Sequence, residues 1–129
     1  MSAHVRGLDF YRIDPDWIEF RVLGSGSWRD LLLVQKYCNS NKLPFSLIYW
    51  ASDYPKLSNM HLADDEAWYT SVMSEGYAYA EVGGAPDQFV LESWIPAPSR
   101  IVPDDGNFTF TRAVADFGKK FLRRPGATP

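Results

Sequence analysis

Several features that mark common protein classes are scarce in this chain. Cys38 is the only cysteine among 129 residues, so no internal disulfide is possible and packing must hold the fold. The two histidines, His4 and His61, lie far apart, and together with one cysteine they do not spell a metal site. No apolar run approaches bilayer length, and "MSAHVRGLDF" lacks the apolar centre of a secretory leader. The default expectation is therefore a soluble cytoplasmic protein that does not engage a membrane, although a leader lost by truncation would leave secretion open. Lys and Arg number 13 against 16 Asp and Glu, a net charge of −3, which gives nucleic acid no electrostatic footprint. No repeat of fixed period runs through the chain, which argues against a solenoid.

What is present is apolar and aromatic. Hydrophobic residues make up 46% and charged residues 22%, the balance of a globular rather than a disordered chain. The length suits one domain, 1–129, with a core of its own. Aromatic residues reach 16%, and many of the Trp and Tyr fall where strands give way to loops.

The first apolar run, Leu8 to Ile13, reads as a strand. In "DPDW", Asp14 suits a cap and Pro15 a first helical position, which favours a short helix over 15–22. "WIEFRVL" also alternates well enough for a hairpin. "GSGS" (24–27) breaks the chain, and Ser27 with Asp30 resembles a capping box opening a helix to about Cys38. Trp28, Leu31, Leu32, Gln35 and Cys38 share one face of it. Phe45 to Trp50 is a continuous apolar strand of the kind buried on both faces in parallel sheets. After a long loop, Asp64, Asp65 and Glu66 favour a helix N-terminus. Trp68 or Tyr69, Val72, Met73, Gly76 and Ala80 mark its buried side, and "GGAPD" closes it. A third strand covers Phe89 to Trp94. A Pro-rich loop follows, then a helix over about 109–123 with Phe110, Val114, Phe117 and Phe121 as its stripe. Lys119, Lys120, Arg123 and Arg124 read as a solvated, dipole-matched helix end. Strand and helix thus alternate three times, the pattern of βα units on a parallel sheet.

In parallel α/β folds functional groups collect at the C-terminal edge of the strands. Asp14, Asp53 and Glu92 all fall there, each beside rings: Trp17, Trp50 with Tyr54, and Trp94. Aromatic platforms suit the apolar faces of a pyranose, and carboxylates suit its hydroxyls. A pair of carboxyls can also cleave a glycosidic bond, one as general acid and the other as base or nucleophile. Crowded like charges raise one of the two pKa values, which the acid role requires. The plainer readings are a cap for Asp14, an Asx-turn for Asp53, and an ion pair of Glu92 with Arg100 or Arg12. His61 suits a proton shuttle or sugar contact as well as a surface position. "GSGS" could cradle a phosphate at a helix N-terminus, but it lacks a full G-x-G-x-x-G and a P-loop lysine. Ser93 has no G-x-S-x-G elbow, so serine hydrolase chemistry is unsupported.

"PFSLIYWASDYP" and "PDQFVLESWIPAPSRIVPDDGNFTFTRAVADFGKKF" resemble the last βα units of TIM-barrel proteins of the glycoside-hydrolase type. The similarity runs over roughly residues 8–122 and is one of general pattern. It implies an α/β fold of three βα units, about strands six to eight of a (β/α)8 barrel. It further implies a sugar cleft with Glu92 and Asp53 as carboxylates, and Asp14, Trp50, Tyr54, Trp94, His61 and Arg100 around the substrate. No cofactor is implied. A whole barrel needs about 250 residues. A chain of this length is then expected to be a fragment, inactive alone, whose sheet edges pair with the missing barrel part or a second copy. Met1 directly before the first strand fits such a truncation. Two other classes remain in view: a non-enzymatic module binding sugar or peptide, and a small domain holding a phosphate ligand at 24–28.

Overall fold

The computed structural model describes residues 7–16, 26–50 and 64–123. In chain order these form β1 (Tyr11–Ile13), α1 (Trp28–Ser40), β2 (Phe45–Trp50), α2 (Asp65–Glu81), β3 (Gln88–Glu92) and α3 (Phe110–Phe121). The strands make one sheet in the order β1-β2-β3, and both neighbouring pairs are parallel. Tyr11 pairs with Phe45 and Ile13 with Leu47, while Ser46 pairs with Gln88 and Trp50 with Glu92. The expected mixed α/β architecture with a parallel three-stranded sheet is therefore present.

Each helix begins where its side chains satisfy the first backbone N–H groups. Ser27 Oγ accepts from the Asp30 N–H at 3.3 Å, Asp64 Oδ1 from Ala67 at 2.7 Å, and Thr109 Oγ1 from Arg112 at 3.2 Å. The Ser27 cap at the start of α1 is thus made, and the Asp30 carboxylate accepts from the Ser27 hydroxyl at 3.2 Å rather than completing the box at the Ser27 N–H. α2 ends at a glycine turn: Gly83 takes a φ of +98°, and the Gly84 N–H reaches Tyr79 O.

Alternation along β2 sends Phe45, Leu47 and Tyr49 to one face, and all three are fully buried. The helices cover that face. Tyr49 and Phe89 both meet Phe117 of α3, at centroid distances of 4.6 and 4.8 Å. Tyr79 of α2 donates to Gln35 Oε1 of α1 at 2.6 Å. Trp68, Val72 and Tyr79 fill the layer between, and burying each such side chain contributes about 1.5–3 kcal/mol. Ser46, Ile48, Trp50, Val90 and Glu92 point the other way. Consecutive parallel strands with all three helices on one face are what right-handed crossovers produce when the strand order never reverses.

Several boundaries differ from the sequence expectation. β1 begins at Tyr11 rather than Leu8. β3 ends at Glu92, so Trp94 lies beyond the strand and is 65% exposed. On α2 the buried side includes Glu75 and Tyr79, whereas Ala80 is exposed. On α3 Ala113, not Val114, is buried, because the stripe turns toward Phe89 and Tyr49 beneath it. Arg123 does not end in solvent: Nη1 lies 3.6 Å from Asp87 Oδ1, and its N–H donates to Pro86 O. Residues 14–16 are not helical, and the rest of the helix expected over 15–22 lies outside the described residues, as does Arg124. Among the described residues no helix is long and apolar enough to cross a membrane.

Candidate functional site

The parallel ladder decides where the candidate residues stand. Because all three strands run the same way, Asp14 follows the end of β1, Trp50 ends β2 and Glu92 ends β3, all on one edge of the sheet. Trp50 and Glu92 are register partners, so they stand side by side on the face away from the helices. Both are half-buried, and Asp14 is exposed. Asp53, Tyr54 and His61, together with Trp17, lie outside the described residues.

Hydrogen bonds fix part of this rim. The Trp50 indole Nε1–H donates to Pro15 O at 3.1 Å, which links the end of β2 to the segment leaving β1. The Trp68 indole Nε1–H donates to Glu92 O at 3.2 Å and anchors the tip of β3 from α2. Asp65 accepts from the Ser99 N–H at 2.7 Å and from Ser99 Oγ at 2.6 Å, tying the loop after β3 to the head of α2. In that loop Ser93 Oγ donates to Ala97 O. Neither Trp68 nor the Asp65–Ser99 clamp stood out in the sequence as part of the rim. A buried-face tryptophan and an acid in a first helical turn have ordinary structural uses, and only the fold shows what they hold.

The ion pair suggested for Glu92 is not made. Among the described residues neither arginine pairs with it. Arg12 Nε instead donates to Ser46 Oγ at 2.9 Å, with the guanidinium 4.8 Å from the centre of the Phe10 ring. Arg100 is exposed, and its carbonyl accepts from the Phe110 N–H at 3.0 Å. Ser27 already spends its hydroxyl on the α1 cap, and Gly24 and Ser25 of the "GSGS" stretch lie outside the described residues. Among the described residues no cluster of His, Cys, Asp and Glu is arranged to hold a metal ion.

Two clefts lie away from this rim. One of about 390 Å³ opens at the strand starts, between Asn39, Lys42, Asp87, Gln88 and Arg123. Asp87 organises it by accepting from the Phe45 N–H at 2.9 Å and facing Arg123. The other, about 80 Å³, lies between α2 and α3 against Tyr69, Phe108, Arg112 and Asp116. There the Tyr69 hydroxyl donates to Asp116 Oδ2 at 2.6 Å, and Arg112 Nε lies 3.0 Å from the same oxygen. Desolvation and the bond to Asp116 push the Tyr69 phenol up to about 12. Partial desolvation favours the neutral form of Asp116, but hydrogen bonds from Tyr69 and Arg112 outweigh it and hold the carboxyl below its ordinary range. A phenol so hard to ionise keeps its proton at neutral pH, and the trio serves to join α2 to α3.

No family model matches this chain, and no curated protein or solved structure matches it either.

Proposed function

We propose that these three βα units form part of a carbohydrate-active (β/α)8 barrel, about its sixth to eighth strands. In this reading the unit contributes one side of a sugar cleft and is inactive by itself. The observation that carries the proposal is the juxtaposition of Trp50 and Glu92, in register at the C-terminal edge of a parallel sheet whose strand order follows the sequence. A ring beside a carboxylate meets the two surfaces of a pyranose, its apolar face and its hydroxyl edge. In the proposal Glu92 and Asp53 are the two carboxylates that cleave the bond. Asp14, Trp50, Tyr54, Trp94, His61 and Arg100 hold and orient the sugar. In the intact barrel the sheet edges left unpaired among the described residues meet the remaining strands; in this chain by itself they stand open to a second copy.

Hydrolysis of a panel of aryl glycosides by the polypeptide carrying the whole barrel tests the catalytic part. Glu92→Gln is expected to lower turnover by about a hundredfold or more, the scale of a lost general acid or base. Unchanged turnover removes Glu92 from the mechanism. The exposure of Trp94 also suits a non-enzymatic sugar-binding module. Saturable binding that quenches tryptophan fluorescence, with no turnover by the intact protein, selects that reading.

A further inference from the structure

The geometry points to a second copy of this chain as the occupant of the open β3 edge, docked antiparallel about a two-fold axis through Val90. Among the described residues no strand pairs with the outer edge of β3. The Asp87 N–H donates to Phe45 O on the β2 side, so the backbone groups of Gln88 and Val90 point away from β2. "QFVLE" carries neither the proline nor the lysine that commonly blunt an edge.

Read against itself, this strand is self-complementary. With Val90 on the axis it faces its own copy, and the two exchange a pair of backbone hydrogen bonds. Gln88 then faces Glu92 of the other copy twice over, an amide donor against a carboxylate. On the helix side Phe89 faces Leu91. An isologous contact requires this kind of symmetry. The β1 edge is the poorer candidate although Tyr11 is exposed there, because the same operation about its middle residue sets Arg12 against Arg12.

α3 supplies a second, independent part of the surface. Asp116 and Lys120 lie on the α2 side of this helix, the first bonded to Tyr69 and the second near the Tyr77 ring. At 100° per residue, Thr111, Val114 and Gly118 fall on the opposite flank, above the β3 edge. Val114 is 38% exposed, and a Cβ on Gly118 would lie 3.5 Å from the Phe89 ring below. A nearly uncharged flank of small and apolar residues beside an unpaired strand gives two copies a helix contact above the joined sheet.

Sedimentation equilibrium of the full chain tests this. A dimer is expected. Gln88→Glu, which sets two carboxylates face to face, should weaken it about tenfold, and Gln88→Lys should leave it intact or tighten it. Val114→Asp should weaken it, and Tyr11→Glu on the other edge should not. Gln88, Val114 and Tyr11 are all exposed, and far-UV circular dichroism checks that each variant stays folded. A chain that is monomeric at all concentrations overturns the proposal, as does a dimer that ignores Gln88→Glu or one lost on Tyr11→Glu.

Discussion

Gly76 shows how closely α2 and α3 approach. A Cβ there would lie 2.5 Å from Phe121 Cε2 and 2.9 Å from Phe117 Cε2, both ring atoms of buried side chains. Helix propensity favours alanine over glycine by about 1 kcal/mol. Overpacking a tight core costs about 1–3 kcal/mol. The steric effect should win, so Gly76→Ala is expected to lower the urea midpoint at an unchanged slope; a stabilised variant would show that the two rings yield freely. Gln35 is a second residue-scale device. Its buried Oε1 accepts from both Tyr79 Oη and the Ala85 N–H, so Gln35→Leu strands the Ala85 donor, leaves the Tyr79 hydroxyl only the Leu31 carbonyl at 3.4 Å, and should cost about 2 kcal/mol. The sequence placed Gln35 on the buried face of its helix, but the atoms it would satisfy come from residues 44 and 50 positions later.

The elements were legible because their signals are local. Ser27 with Asp30, and Asp64 before an apolar-periodic stretch, announced two helix starts, and the glycines after Glu81 announced a stop. Ser27→Ala should cost about 1 kcal/mol in chemical denaturation. Boundaries were harder to read where tertiary contact overrode pattern. Val114 belongs to an apolar stripe by spacing, yet the face that meets Phe89 and Tyr49 passes through Ala113 instead. Trp94 follows an apolar run, but the last ladder pair among the described residues is Trp50 with Glu92, and Trp94 lies two residues past the end of β3. Asp87 looked like part of a closing turn. It stitches the starts of β2 and β3 and meets Arg123 from the end of α3, so Asp87→Ala should destabilise the fold by about 1–3 kcal/mol. Asp87→Asn, which keeps an acceptor for Phe45, should cost less.

Across the whole molecule, stability should depend on alkaline pH through its buried phenols. Burial pushes the Tyr49 hydroxyl well up, and the charges of Tyr79 and Glu75 push it the same way. Burial also pushes Tyr79 up, with Cys38 adding to it, while desolvation and Asp116 carry Tyr69 to about 12. These groups have folded pKa values above the unfolded value of about 10. The unfolded chain therefore loses its phenolic protons first. Stability is full below about pH 10 and falls as pH rises beyond it. Thermal melts from pH 8 to pH 11.5 should show this fall, and Tyr49→Phe should make it shallower. A fall of equal steepness in that variant would mean Tyr49 does not drive it.

By itself the sequence determined the alternation of strands and helices, the caps and the dominant apolar faces, because each depends on residues within a turn or two of one another. It also supplied the acids and rings that end the strands. Only the tertiary structure decided the register between those parallel strands, which makes Trp50 and Glu92 neighbours. It alone decided that Glu75 is enclosed, that Gln35 meets Tyr79 and Ala85, and that Arg12 turns to Ser46 rather than to Glu92. Those outcomes rest on contacts between residues some 30 to 50 positions apart, where the geometry of the whole sheet and its helix layer, not local preference, sets which side chains meet.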